Sequence, residues 1–148
     1  MIQGIYPYYI KFHIVFSIIF LAAIVFITIY YSYGWIKGRA YGRFERRLRR
    51  TYLTLLFADL VIGIILYFFL QKPAGPMNTA EAMNYLSLRF WAIQHFSNIV
   101  FVTILCITGN MLINRTPVDH KKFKYSVFYF GISTIIIIVS VSLFALRN

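Results

Sequence analysis

Four apolar stretches, at roughly 10–36, 51–71, 88–114 and 123–146, divide the chain from end to end, and the segments between them are lopsidedly charged. A hydrocarbon core needs about 20 mostly apolar residues at a rise of about 1.5 Å each, and all four stretches are long enough. Most side chains must therefore be judged against lipid rather than water. In a sequence of 148 residues, four spans leave no connection long enough for a soluble domain. The expected object is a single transmembrane domain over residues 1–148, an all-α four-helix bundle of up-down-up-down topology. A hydrophobic content of 60% points to the same class.

The net charge of +11 alone would suit a nucleic-acid partner, but its placement argues for topology. Lys37, Arg39, Arg43, Arg46, Arg47, Arg49 and Arg50 lie between spans one and two, and Arg115, Lys121, Lys122 and Lys124 between spans three and four. Only Lys11, Lys72, Arg89 and Arg147 lie on the opposite side. Positively charged loops stay in the cytoplasm, so a bacterial inner-membrane protein with both termini periplasmic is expected. The partners implied are the lipid bilayer, through its anionic head groups, and other membrane subunits, not nucleic acid. Span one lacks a basic start and a small-residue cleavage site, and it reads as a retained span rather than a signal peptide. A single cysteine, Cys106, rules out an intrachain disulfide.

Aromatic residues bracket the spans and read as interfacial anchors: Tyr6, Tyr8 and Tyr9, then Tyr30, Tyr31, Tyr33 and Trp35, then Tyr52 and Trp91. Only Gly34, Gly38 and Gly42 interrupt the pattern after span one, so its helix is expected to run on beyond the membrane. The arginine-rich segment is expected to begin span two as an amphipathic helix. Pro73, Gly75 and Pro76 make the next connection irregular, with helix resuming near Asn78 and Thr79 as its N-cap, Glu81 lying in the first turn. Asp119, following Pro117, is placed to cap span four.

Ionisable and polar groups inside a membrane are costly and so are candidates for function. Here they are His13, Asp59, Gln94, His95, Asn98 and Asn110. His13 lies about one helical turn below the outer start of span one, and His95 roughly 10 Å below the start of span three. The difference of about 5 Å is small enough for ordinary helix tilts of roughly 20° to absorb. Two imidazoles at similar depth on different helices can ligate a haem iron axially, with Arg89, Lys11 and Lys72 near the propionates. Structural roles compete with this one. His13 can bond water or a lipid head group, and His95 can bond Ser17 or Tyr85. His120, at the cytoplasmic start of span four, reads as a solvated loop histidine. Asp59 lies near the midplane at a depth comparable with Asn98, and an Asp59–Asn98 hydrogen bond is expected to join spans two and three. A proton relay or quinone contact at Asp59 is the sharper alternative. No nucleophile–base arrangement, phosphate loop or metal-spacing motif is visible, so an enzyme is not expected.

The segment Leu88-Arg89-Phe90-Trp91-Ala92-Ile93-Gln94-His95 resembles small four-span proteins of Bacteroidota commonly labelled cytochrome b. The likeness extends to His13, Gly34-Trp35, Ile62-Gly63, Ile107-Thr108-Gly109 and His120-Lys121-Lys122. It implies a haem b cofactor and electron transfer. Members of that family also carry a histidine near the position of Phe57, a basic residue where Ser17 stands and a glutamate where Gln94 stands. This chain has none of the three: a cofactor site that used the span-two histidine is lost, and one that used the pair matching His13 and His95 survives. Three functions are thus in view: a bis-histidine haem protein, a cofactor-free subunit of a larger respiratory or secretion complex, and a proton or quinone site around Asp59.

Overall fold

The computed structural model describes residues 2–68 and 79–146. Helix α1 spans Ile2–Ile36, α2 Arg43–Phe68 and α3 Thr79–Arg115. The fourth rod is continuous but composite: α4 (Asp119–Tyr125), a π-helical turn (Ser126–Phe130) and α5 (Gly131–Ala145). Four helical segments are long and apolar enough to cross a membrane, and the chain is by length and composition a multi-pass membrane protein. Each rod touches the next, and the fourth returns to α1. The diagonal pairs, α1 with α3 and α2 with the fourth rod, make no backbone contact among the described residues. The result is a square bundle with both basic loops at one end.

All four rods bury positions spaced alternately by three and four residues. On α1 these are Phe20, Ile24, Ile27 and Tyr31; on α2, Glu45, Arg49, Tyr52, Leu56 and Asp59. On α3 they are Ile99, Val102, Cys106, Gly109 and Ile113, and on the fourth rod Phe123, Ser126, Phe130, Ser133, Ile137 and Ser140. A 3.5-residue period keeps one seam facing inward, as in coiled coils. Ile18, Phe26, Ile29, Phe101, Ile104 and Ile135 point outward, where a bilayer rather than water receives them.

Several details differ from the sequence expectation. Helix α1 does not run on through Gly38; it stops at Ile36, because Gly38 takes a φ of +62° that favours glycine. Gly38 N–H then donates to the Trp35 carbonyl (3.2 Å) and Arg39 N–H to the Gly34 carbonyl (3.0 Å), the two bonds of a Schellman stop. The arginine-rich segment does begin span two as helix. Asp119 does not cap the fourth rod; the cap position is Val118, without a side-chain bond, and Asp119 in the first turn accepts from Lys122 instead (3.2 Å). The Thr79 cap falls outside the residues whose side chains are described. Tyr31 and Tyr52 are not interfacial anchors but fully buried. The Tyr52 hydroxyl lies 3.2 Å from the Phe130 carbonyl and 3.0 Å from Thr134 Oγ1, which is itself 2.9 Å from Thr28 Oγ1. Side-chain hydroxyls thereby serve a carbonyl at the widened π turn, where the regular helical ladder is broken.

Glu45 fastens the basic end. Its carboxylate accepts from the Tyr30 hydroxyl (2.8 Å) and, reaching back as in a capping box, from Gly42 N–H (2.8 Å). Tyr31 adds a bond to the Glu45 carbonyl at 2.8 Å. Glu45→Ala leaves two donors unmet and is expected to cost about 2 kcal/mol, read as a lowered thermal unfolding midpoint in micelles. A midpoint equal to that of the native chain would show that the carboxylate fastens nothing.

Candidate functional site

The end of the bundle away from the basic loops gathers polar side chains from all four rods. His13 and Ser17, one turn apart on α1, face Asp59 and Gly63, one turn apart on α2. Ser17 Oγ donates to Asp59 Oδ1 at 2.7 Å, and His13 Nδ1 lies 3.6 Å from the same oxygen. That is ion-pair range but beyond hydrogen-bond reach, and the buried His13 Nδ1 has no hydrogen-bond partner. A Cβ at Gly63 would stand 4.0 Å from His13 Cε1, an ordinary contact, so the approach does not depend on glycine there. The Asp59 side chain is 5% exposed.

Across the bundle, Trp91, His95 and Asn98 share one face of α3 and converge on Ser140 of α5. His95 Nδ1 lies 3.1 Å from Ser140 Oγ, to which Asn98 Nδ2 also donates at 3.3 Å. Trp91 Nε1 donates to the Ser140 carbonyl at 3.4 Å, and its ring stacks on His95 with centroids 5.0 Å apart and planes 14° apart. The His95 ring is thus fixed in plane and in rotation. It lies within electrostatic range of both Asp59 and His13, although α1 and α3 are diagonal.

The expected Asp59–Asn98 bond does not form. Asp59 pairs with α1 and Asn98 with α5, because equal depth on neighbouring helices does not make two side chains face each other. Nor does His95 bond Ser17; it takes Ser140, while the Tyr85 side chain lies outside those described. Gln94 is exposed and stands apart from the cluster, and Asn110 is half-buried. Lys11 and Arg89 are exposed at the same end as the two histidines, whereas Lys72 lies outside the described residues. His120 is at the opposite end, exposed, and accepts from Trp35 Nε1 at 3.2 Å. Ser140 was missed by the sequence reading. Its signal was available in Ser126, Ser133 and Ser140, small polar residues recurring every seventh position of an apolar rod.

No set of three His, Cys, Asp or Glu side chains is gathered around a bare-ion site among the described residues. No family model, curated protein or solved structure matches the chain. The resemblance to the family labelled cytochrome b therefore rests on the residues quoted for it.

Proposed function

We propose that the chain is a b-type haem protein of the bacterial inner membrane that passes electrons in the outer half of the bilayer. His13 and His95 would hold its iron, and Lys11 and Arg89, exposed at the same end of the bundle, would meet its propionates. The basic loops are cytoplasmic and both termini periplasmic. The supporting observation is the state of the two imidazoles. They stand on diagonal helices, His95 Nδ1 is hydrogen-bonded to Ser140 while His13 Nδ1 lies in ion-pair range of Asp59, and neither Nε2 is hydrogen-bonded within the protein among the described residues. Metal-binding histidines are characteristically held in this way, through the nitrogen that does not ligate.

Haem, when bound, supplies reversible one-electron chemistry at its iron. The chain's own side chains select and hold the ligating form of each ring. Ser140 Oγ can accept a proton-bearing Nδ1 from His95, which leaves Nε2 with its lone pair. Trp91 holds that ring in plane, and Asp59 orients His13 while Ser17 orients Asp59. The absorbance spectrum of protein purified from haem-supplemented cells tests the proposal. A Soret band is expected that disappears in His95→Ala and weakens or shifts in His13→Ala. No band at all, or one unchanged by His95→Ala, ends the proposal.

The buried Asp59 carboxylate beside an imidazole favours one second reading, a quinone or proton site. It predicts that a short-chain naphthoquinone raises the unfolding midpoint of the native chain but not of Asp59→Asn. Equal shifts in both proteins dismiss it.

A further inference from the structure

At the basic end, a cavity of about 140 Å³ opens between the start of α2, the end of α3 and α4, lined by Tyr41, Arg46, Arg49, Asn114, Thr116 and Lys122 among others. Its chemistry is unbalanced. Arg49 is 5% exposed, yet no carboxylate pairs with it among the described residues. Glu45, one turn earlier on the same face, has its oxygens committed to Tyr30 and Gly42. Arg49 has only a 2.6 Å bond from Nη2 to Asn114 Oδ1 and the face of the Tyr41 ring, 6.0 Å away. Its Nε is buried without a partner, and so is the hydroxyl of Tyr41, itself 5% exposed. Burying a guanidinium and two unmet donors is expensive unless an acceptor arrives. Arg46 and Lys122 add two more cations, and of the two nearby carboxylates Glu45 is committed as above while Asp119 is bonded to Lys122 at 3.2 Å.

We propose that this cavity is a binding site for one phosphate group, a free phosphate ion or the phosphate of an anionic lipid head group. Guanidinium and ammonium groups gathered around one small space, with the unmet Tyr41 hydroxyl on one of its lining residues, match a tetrahedral oxyanion. The volume suits one phosphate group and is well below the roughly 300 Å³ at which pockets that enclose whole small molecules begin. The proposal is more specific than attraction of the basic loops to a charged membrane, because it depends on a neutral hydroxyl as well as on charge. It is also independent of haem, which concerns the other end of the bundle.

The test is the unfolding midpoint of delipidated full-length protein in maltoside micelles. One arm titrates potassium phosphate against potassium chloride at matched ionic strength. The other dopes the micelles with phosphatidylglycerol. A rise with phosphate but not chloride identifies the free ion, and a rise only with phosphatidylglycerol identifies the lipid. In whichever arm responds, Tyr41→Phe should weaken the apparent affinity about fivefold and Arg46→Gln about tenfold. Both variants should fold, since Arg46 is exposed and Tyr41→Phe removes only an unpartnered hydroxyl. Without ligand, Tyr41→Phe should unfold at the native temperature or above it. No rise in either arm, or native-like titration by either variant, overturns the proposal.

Discussion

Gly109→Ala should cost about 3 kcal/mol of stability, an unusually large loss for one added methyl group. A Cβ at position 109 would come within 2.5 Å of Tyr129 Cβ and 2.8 Å of its Cγ. Those atoms belong to the stem of the tyrosine, inside the π-helical turn, and cannot swing aside as the tip of a flexible side chain can. The methyl group can be housed only by moving α3 away from the fourth rod. That shift would loosen the Cys106–Ser133 contact one turn away, now 3.3 Å. Gly131→Ala is the internal control. Its Cβ would meet Thr28 Cγ2 at 3.6 Å, an ordinary contact, and alanine is the better helix former by about 1 kcal/mol. The same substitution is therefore expected to destabilise at 109 and to be neutral or stabilising at 131. Unfolding midpoints of both variants in micelles, measured side by side, test this; comparable tolerance at the two positions would sink the close-approach account. Small residues matter here because lipid provides little apolar force to press helices together, so contact depends on how closely backbones can come.

What could be read beforehand divides along one physical line. The four spans, and both histidines at the end away from the basic loops, follow from apolar run length and charge placement, both visible residue by residue. The azimuth of each helix does not. In water the apolar stripe marks the inside, but a rod bathed in lipid is apolar all round and the stripe vanishes. Depth alone therefore paired Asp59 with Asn98, whereas the bundle pairs it with Ser17 and His13. The usable signal was the inverse pattern, polar residues recurring at spacings that keep one face: three or four, or their sum of seven. Glu45, Arg49, Tyr52, Leu56 and Asp59 carry it on α2, and Ser126, Ser133 and Ser140 on the fourth rod. Read this way, Arg49 separates from the other six cations of its loop. Those six are exposed, whereas Arg49 falls on the buried seam; it shares the cavity with one of them, Arg46.

A double-mutant cycle on His13 and Asp59 should give the other large effect. Asp59→Ala leaves the Ser17 hydroxyl and His13 Nδ1 facing an apolar gap, while His13→Ala leaves a carboxylate that is 5% exposed with one hydrogen bond. Removing one member of a buried pair costs about 3 kcal/mol, mainly because the other is left uncompensated. The double alanine variant should cost little more than either single change, which corresponds to a coupling of about 2 kcal/mol. A plain interhelical hydrogen bond within a membrane averages only about 0.6 kcal/mol, so the size of the coupling separates a charge-linked pair from simple helix glue. Denaturation by titrated sodium dodecyl sulfate in mixed micelles measures all four corners. Strict additivity would mean that the 3.6 Å approach carries no energy and that His13 is held by its apolar neighbours. Strong coupling has a functional meaning too. Under the haem proposal, a His13 held beside the Asp59 carboxylate would present Nε2 to the iron in one orientation. Ser17→Ala, which frees Asp59 to turn away while leaving both cycle residues in place, should then reduce the coupling as well.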